Sequence, residues 1–229
     1  MHKFWCFHED GCQRTLRLEG PISDVTWFGD EITPAAFKEE LLAGDGDITV
    51  WINSPGGCVF AAAEIYTVLR EYPGRVTVKI DGMCASAASV VAMAGAEVLM
   101  SPVSYMVIHN PSTIAIGDSD EMLRAKATLD EIKEGIINAY QAKTRLPREE
   151  ISRLMNEESC FNAKKAVQLG FADGMLYEAN DASQPVMYSR MAVMNSLLAK
   201  IPVPAKAVLN PPGTAYIDLE QRCENIKYY

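Results

Sequence analysis

Arg75-Val76-Thr77-Val78-Lys79-Ile80-Asp81-Gly82-Met83-Cys84-Ala85-Ser86-Ala87-Ala88-Ser89 holds a strand signal and a helix signal end to end. Val76, Val78 and Ile80 alternate with polar neighbours, the period of a half-buried strand. The spacing predicts that this strand ends near Ile80 and that the chain turns at Gly82. A helix of small residues then runs from about Ala85 to Ala94, with Ser86 at its start. A serine at a helix N-terminus lies beside unpaired N–H groups and the positive end of the dipole. An oxyanion formed by attack through Ser86 would be stabilised there. Serine is also a favoured helix cap, and from this stretch alone a plain cap in an Ala-rich helix is the stronger reading.

Working outward, strands and helices alternate. Thr15-Leu16-Arg17-Leu18 reads as a strand closed by Gly20-Pro21. Thr33-Pro34 opens a helix to about Ala43, and Ile48 to Ile52 is the next strand. A helix from about Cys58 to Glu71 ends at Pro73-Gly74. Beyond the opening stretch, Val98-Leu99-Met100 and Tyr105-Met106-Val107-Ile108 are short apolar strands. Asp118 to Thr144 reads as one long helix, with Asp118 and Glu121 in capping-box-like spacing and Leu129, Ile132, Ile136 and Tyr140 at helical intervals. Leu146-Pro147 starts a shorter helix, and Asn162 caps another that ends at Gly170. This alternation gives an α/β class with a mainly parallel sheet. After about Asp181 the pattern decays among Pro202, Pro204, Pro211 and Pro212. The organisation expected is a domain over 1–180 and an arm or tail over 181–229.

The 229 residues include 21 Lys+Arg against 30 Asp+Glu, a formal charge of -9. That balance argues against nucleic acid as the principal partner, because binding phosphates needs a basic face. No stretch has the roughly 20 uncharged apolar residues of a membrane helix, and the first residues lack a signal-peptide core. A soluble, cytoplasmic protein is expected. The six cysteines are scattered, and reduced thiols suit a chain long enough to build its own core. His2, Cys6, His8 and Cys12 form a loose cluster of soft ligands. Structural zinc sites show tighter pairs, so no metal is expected there.

Two further signals bear on Ser86. Asn53-Ser54-Pro55-Gly56-Gly57 is a second strand-to-helix junction, whose glycines allow backbone N–H groups close to a ligand. Taken alone, it is an ordinary tight turn. Of the three histidines, His109 alone lies beyond the first eight residues, at the end of the Tyr105–Ile108 strand. A lone histidine on an apolar strand is more often structural. Here one strand separates it from Ser86, so the two can meet above the sheet, where an imidazole can accept the serine proton.

At this point the residues resemble the ClpP peptidases. Asn53-Ser54-Pro55-Gly56-Gly57, then Gly82-x-x-Ala85-Ser86 with Gly95 beyond, then Met106-Val107-Ile108-His109-x-Pro111 are similar to that family's three signatures, in order. The resemblance covers roughly residues 15–178 and includes Asn162-Ala163-x-x-Ala166-x-x-x-Gly170. Within the family, Gly20-Pro21-Ile22-Ser23, Trp27 to Pro34 and Ser86-Ala87-Ala88-Ser89 look like the head maturation proteases of tailed phages and prophages. The resemblance implies a ClpP/crotonase-like fold of repeated β-β-α units with a long projecting helix. It also implies a serine endopeptidase with Ser86 as nucleophile, His109 as base, and Gly57 and Ala87 as oxyanion donors. The third member departs from the pattern. Aligned on Ala163, Glu158 takes the place of the family's Asp, with Glu157 its neighbour, and a glutamate can orient an imidazole as an aspartate does.

No cofactor is needed for such chemistry. The partners implied are protein substrates, namely capsid, scaffold or portal proteins, and further copies of the chain in a ring. The N-terminus does not resemble the loops that meet a Clp unfoldase, so activity independent of ATP is expected. Two rival readings are a crotonase-type acyl-CoA enzyme and a catalytically inactive assembly module.

Overall fold

The computed structural model describes residues 3–10, 13–23 and 34–177. The expected 181–229 arm, the Thr33 cap, and His2 and Cys12 of the soft-ligand cluster lie outside them. A hairpin of β1 (Trp5–Asp10) and β2 (Gln13–Glu19) is followed by α1 (Pro34–Leu42), β3 (Ile48–Ser54), α2 (Val59–Glu71) and β4 (Val76–Ala85). Then come α3 (Ala87–Ala92), β5 (Glu97–Met100), β6 (Tyr105–Val107) and α4 (Ser119–Thr144). The remainder is α5 (Arg148–Asn156), β7 (Cys160–Asn162), α6 (Ala163–Leu169) and β8 (Gly174–Met175). The sheet runs β1-β2-β3-β4-β5-β8, parallel from β2 to β8 with β1 antiparallel; off this path β6 pairs parallel with β4, and β7 antiparallel with β6.

The strands interleave as their side-chain pattern requires. Leu16 pairs with Val50, Val50 with Val78, and Val78 with Val98, so one apolar row crosses four strands. All four are fully buried. Leu18, Ile52, Ile80 and Met100 make a second such row. Burying each of these side chains contributes roughly 1.5–3 kcal/mol against exposure, which fixes the register. A one-residue slip would turn every one of them to the other face. On that other face the Trp51 ring lies between Arg17 and Lys79, with cation-to-centroid distances of 5.9 and 5.4 Å.

One element differs from the sequence-based expectation in a way that bears on the site. β4 does not end near Ile80; it continues through Gly82 to Ala85. The ladder persists because β4 changes partner, pairing with β5 over Thr77–Ile80 and with β6 over Met83–Ala85. On its other side, β3 bulges between Ile52 and Ser54, and Asn53 Oδ1 accepts the Met83 N–H at 3.1 Å. A Cβ at Gly82 would stand 2.5 Å from that same Oδ1 and push the Asn53 amide off this bond. The helix that follows is correspondingly short, beginning at Ala87.

The long helix forms as expected. Asp118 accepts the N–H groups of Asp120 and Glu121, and Arg145 ends the helix in the left-handed conformation. Only its second half is covered, with Ile136, Ile137, Ala139 and Tyr140 buried. Leu123 is 65% exposed, so the first half projects. No helix among the described residues is long and apolar enough to cross a membrane.

Candidate active site

Ser86 stands between the last residue of β4 and the first of α3, with φ 55° and ψ −128°. That combination lies outside the regions L-residues favour, and such residues cost of order 1–3 kcal/mol each. Three hydrogen bonds hold it. Its N–H donates to the Val107 carbonyl across the β4–β6 ladder at 2.9 Å. Its carbonyl accepts the Ser89 N–H at 2.9 Å and the Ser89 hydroxyl at 2.5 Å. The peptide groups before and after Ser86 are therefore both anchored, and its side chain is directed into a cavity rather than bonded back as a cap. The structure records no cap bond from the Ser86 hydroxyl to α3. The plain-cap reading, the stronger one from the local sequence, does not describe this serine.

The Gly56-Gly57 turn packs directly against this junction. Ser54 Oγ donates to the Gly20 carbonyl at 2.6 Å and accepts the Gly56 N–H at 3.1 Å. Ile22 then bridges to the turn, donating to the Gly56 carbonyl and accepting from the Cys58 N–H. Gly56 has φ 91° and Gly57 φ 144°. A side chain at Gly56 would come within 2.6 Å of the Ala85 carbonyl and 2.7 Å of Ser86 Cβ. One at Gly57 would lie 2.0 Å from the Ile22 carbonyl oxygen. The Gly57 N–H has no protein acceptor among the described residues. The Ala87 N–H, in the first turn of α3, has none within the helix. Both residues line the cavity with Ser86.

His109 follows β6, half-buried, and lines the same cavity of about 240 Å³. Its Nδ1 lies 2.6 Å from the Asn110 carbonyl oxygen. A carbonyl can only accept, so Nδ1 carries a proton, and in the neutral imidazole the lone pair is then on Nε2. The antiparallel pairing of β6 with β7 runs Tyr105–Asn162, Met106–Phe161 and Val107–Cys160. Ile108 continues it by donating to the Ser159 carbonyl. The pairing stops there, one residue short of both His109 and Glu158. Glu158 itself is exposed, with φ 48° in the turn that ends α5. Its carboxylate makes no hydrogen bond to the imidazole, whose Nδ1 is held by Asn110 instead. Glu157 points away into an ion pair with Arg153 at 2.7 Å.

The stripe on α4 proves to be part of this site. Leu129, Ile132, Ile136 and Tyr140 line the cavity together with Val90. The inner end of the stripe packs on its own subunit because α4 crosses over α3. An apolar groove of about 360 Å³ between α2 and α4 shares Val59, Phe60, Val90, Ile132 and Ile136 with it. Sequence reasoning had no signal for this, since apolar residues at helical spacing announce a buried face without saying which surface they cover.

Comparison with known proteins identifies the family. The Clp protease family model matches residues 16–179. The chain belongs to the Clp protease family. It is 31% identical over 147 residues to the ATP-dependent Clp protease proteolytic subunit 1 of Chlamydia muridarum, covering 62% of this chain and 76% of that one. It is 29% identical over 186 residues to the ATP-dependent Clp protease proteolytic subunit 2 of Thermobifida fusca, covering 77% and 89%. Of the soft-ligand cluster, the described Cys6 and His8 are both exposed on β1.

Proposed function

We propose that this Clp protease family member is a serine endopeptidase acting through Ser86, His109 and Glu158, with Gly57 and Ala87 as oxyanion donors. The observation that carries the reading is the strained Ser86, held at the mouth of α3 in one cavity with His109 and two backbone donors. His109 Nε2 takes the Ser86 hydroxyl proton as Oγ bonds to the substrate carbonyl carbon. The Gly57 and Ala87 N–H groups receive the resulting oxyanion. Collapse of that intermediate breaks the peptide C–N bond, and His109 returns the proton to the leaving amine. Water activated by the same imidazole then cleaves the acyl-enzyme. Glu158 is assigned the third place because, aligned on Ala163, it takes the position of the family's aspartate. The apolar walls from Val90, Leu129, Ile132 and Ile136 favour an apolar residue before the scissile bond.

The wider role proposed is processing of phage or prophage head proteins in the bacterial host cytoplasm, without an ATPase. Its support is the Gly20–Ser23 and Ser86–Ser89 sequence resemblance. The relatives are named as subunits of ATP-dependent proteases, and the proposed independence from an ATPase departs from them. Assembly into a homo-oligomer is supported by Ile114, 92% exposed, and Ile116, 89% exposed, beside the projecting half of α4.

The test is labelling with a fluorophosphonate alongside hydrolysis of an apolar fluorogenic peptide, with no nucleotide or partner added. The wild-type protein is expected to be labelled at Ser86 and to turn over, and Ser86→Ala and His109→Ala to fall to background. Turnover by Ser86→Ala would overturn the mechanism, and an unlabelled wild-type protein would favour the inactive assembly module. Light scattering reads the assembly: a fully active 25.2 kDa monomer would refute it.

A further inference from the structure

We infer that Ser89 is a positioning residue for the oxyanion hole, held in that role by Tyr140 of α4. The inference rests on the peptidase reading and deepens it. The carbonyl of Ser86 and the N–H of Ala87 belong to one peptide group. All peptide bonds among the described residues are trans, so in that planar unit the C=O and N–H point in opposite directions. Whatever fixes the Ser86 oxygen therefore aims the Ala87 N–H. Ser89 fixes it twice, through its backbone N–H at 2.9 Å and its hydroxyl at 2.5 Å.

The hydroxyl bond is itself directed. Ser89 Oγ and the Tyr140 hydroxyl oxygen are 2.8 Å apart. Ser89 has one proton, which it gives to the Ser86 carbonyl, so Tyr140 donates and Ser89 accepts. The order is Tyr140 O–H to Ser89 Oγ, Ser89 O–H to the Ser86 carbonyl, and through the peptide plane to the Ala87 N–H. Ser89 is fully buried and Tyr140 almost so. Burial drives the Tyr140 pKa well upward, which keeps its proton in place as a donor. In such surroundings each bond polarises the next. Phe171 packs edge-on against the Tyr140 ring at 5.4 Å, which sets where the hydroxyl sits. Without the Ser89 hydroxyl, the strained Ser86 would keep only the backbone N–H on its carbonyl, and the Ala87 donor would tilt from the position the oxyanion takes.

The role predicts a kinetic signature that lost stability alone does not produce. Binding of the ground-state peptide uses the cavity walls, whereas the Ala87 donor acts on the charge that develops in the transition state. Ser89→Ala is expected to lower kcat by roughly tenfold with KM within about twofold. That is less than the roughly 10²–10³-fold cost of deleting a donor outright, because the donor is tilted and not removed. Affinity for a peptide boronate, whose adduct places an oxygen in the hole, is expected to fall by the same factor as kcat. Tyr140→Phe, which removes one oxygen and keeps the ring, covers the case in which Ser89→Ala does not fold. Its kcat and boronate affinity are expected to fall together by a smaller factor. Ser89→Thr keeps the hydroxyl and should recover much of the loss. If Tyr140→Phe and Ser89→Ala retain wild-type kcat, or raise KM with kcat unchanged, the positioning role is wrong while the peptidase reading stands. If Ser86→Ala fails to silence the wild-type activity, that reading falls and the positioning role with it.

Discussion

Replacing Ser86 by glycine should give a more stable protein than replacing it by alanine, although both are inactive. The backbone angles at Ser86, 55° and −128°, mirror the extended conformation near −55° and +128°. Glycine has no side chain to distinguish the two and occupies either freely. Alanine keeps the Cβ and therefore the strain, of order 1–3 kcal/mol. Against this, glycine gives up about 0.5–1 kcal/mol through the greater freedom of its unfolded chain. The difference should favour Ser86→Gly by roughly 0.5–2 kcal/mol, from the strain less the entropy. For a chain of this length each kcal/mol shifts Tm by about 2–4 °C. Urea unfolding of both variants at one protein concentration reads the difference directly, with equal slopes required for comparison. If Ser86→Ala equals or exceeds Ser86→Gly, the junction relaxes once the hydroxyl is gone, and the strain argument fails.

Glu158→Gln should be strongly impaired in peptide hydrolysis while Glu157→Gln is nearly normal, because Glu158 takes the family's aspartate position when aligned on Ala163 and Glu157 is committed to Arg153. The reverse ranking would move the third position. Gly57→Ala should be inactive and markedly less stable, since its Cβ would stand 2.0 Å from the Ile22 carbonyl at φ 144°; a variant with wild-type kcat would remove Gly57 from the oxyanion hole. Burial raises the Cys84 thiol far above its ordinary 9.0, so the folded state keeps a proton that the unfolded chain loses. Stability from this source is intact below about pH 9 and declines above it, by up to about 1.4 kcal/mol per pH unit. Cys84→Ala should flatten that alkaline decline, and an unchanged slope in pH-dependent melting would show that the thiol is not its cause.

Much of this was legible in the sequence where local chemistry and tertiary structure agree. Asp118, Asn162 and Gly170 cap their helices through contacts a few residues away, so spacing alone identifies them. The alternation of Val76, Val78 and Ile80 reports one buried face and needs no knowledge of what covers it. The end of β4 was misplaced because Gly82 reads as a turn locally, whereas Asn53 and the new partner β6 keep the strand going. Both stabilising groups are distant in the chain. The use of Tyr140 was hidden for a similar reason: its hydroxyl meets a serine 51 positions earlier. For the imidazole, the family pattern supplied a carboxylate, yet the nearest acceptor is the carbonyl of the next residue, which no side-chain motif can display.

The uneven cover on α4 divides a single helix into two thermodynamic regimes. Its outer turns depend on local terms alone: the Asp118 cap and the Glu121–Arg124 and Lys126–Asp130 pairs, each pair worth only about 0.2–0.5 kcal/mol. A helix so supported, without a packed face, opens readily in water. The inner turns carry Ile136, Ile137 and Tyr140 and can open only when the core opens. Amide hydrogen exchange should therefore step from fast to slow along the helix, with the boundary near Ile132. That residue lines the cavity shared by Ser86 and His109, so fraying from the outer end stops at the cavity wall. Any surface that clamps the outer turns, whether a second copy or a bound polypeptide, would move the boundary outward and stiffen one wall of the cavity without touching a catalytic group.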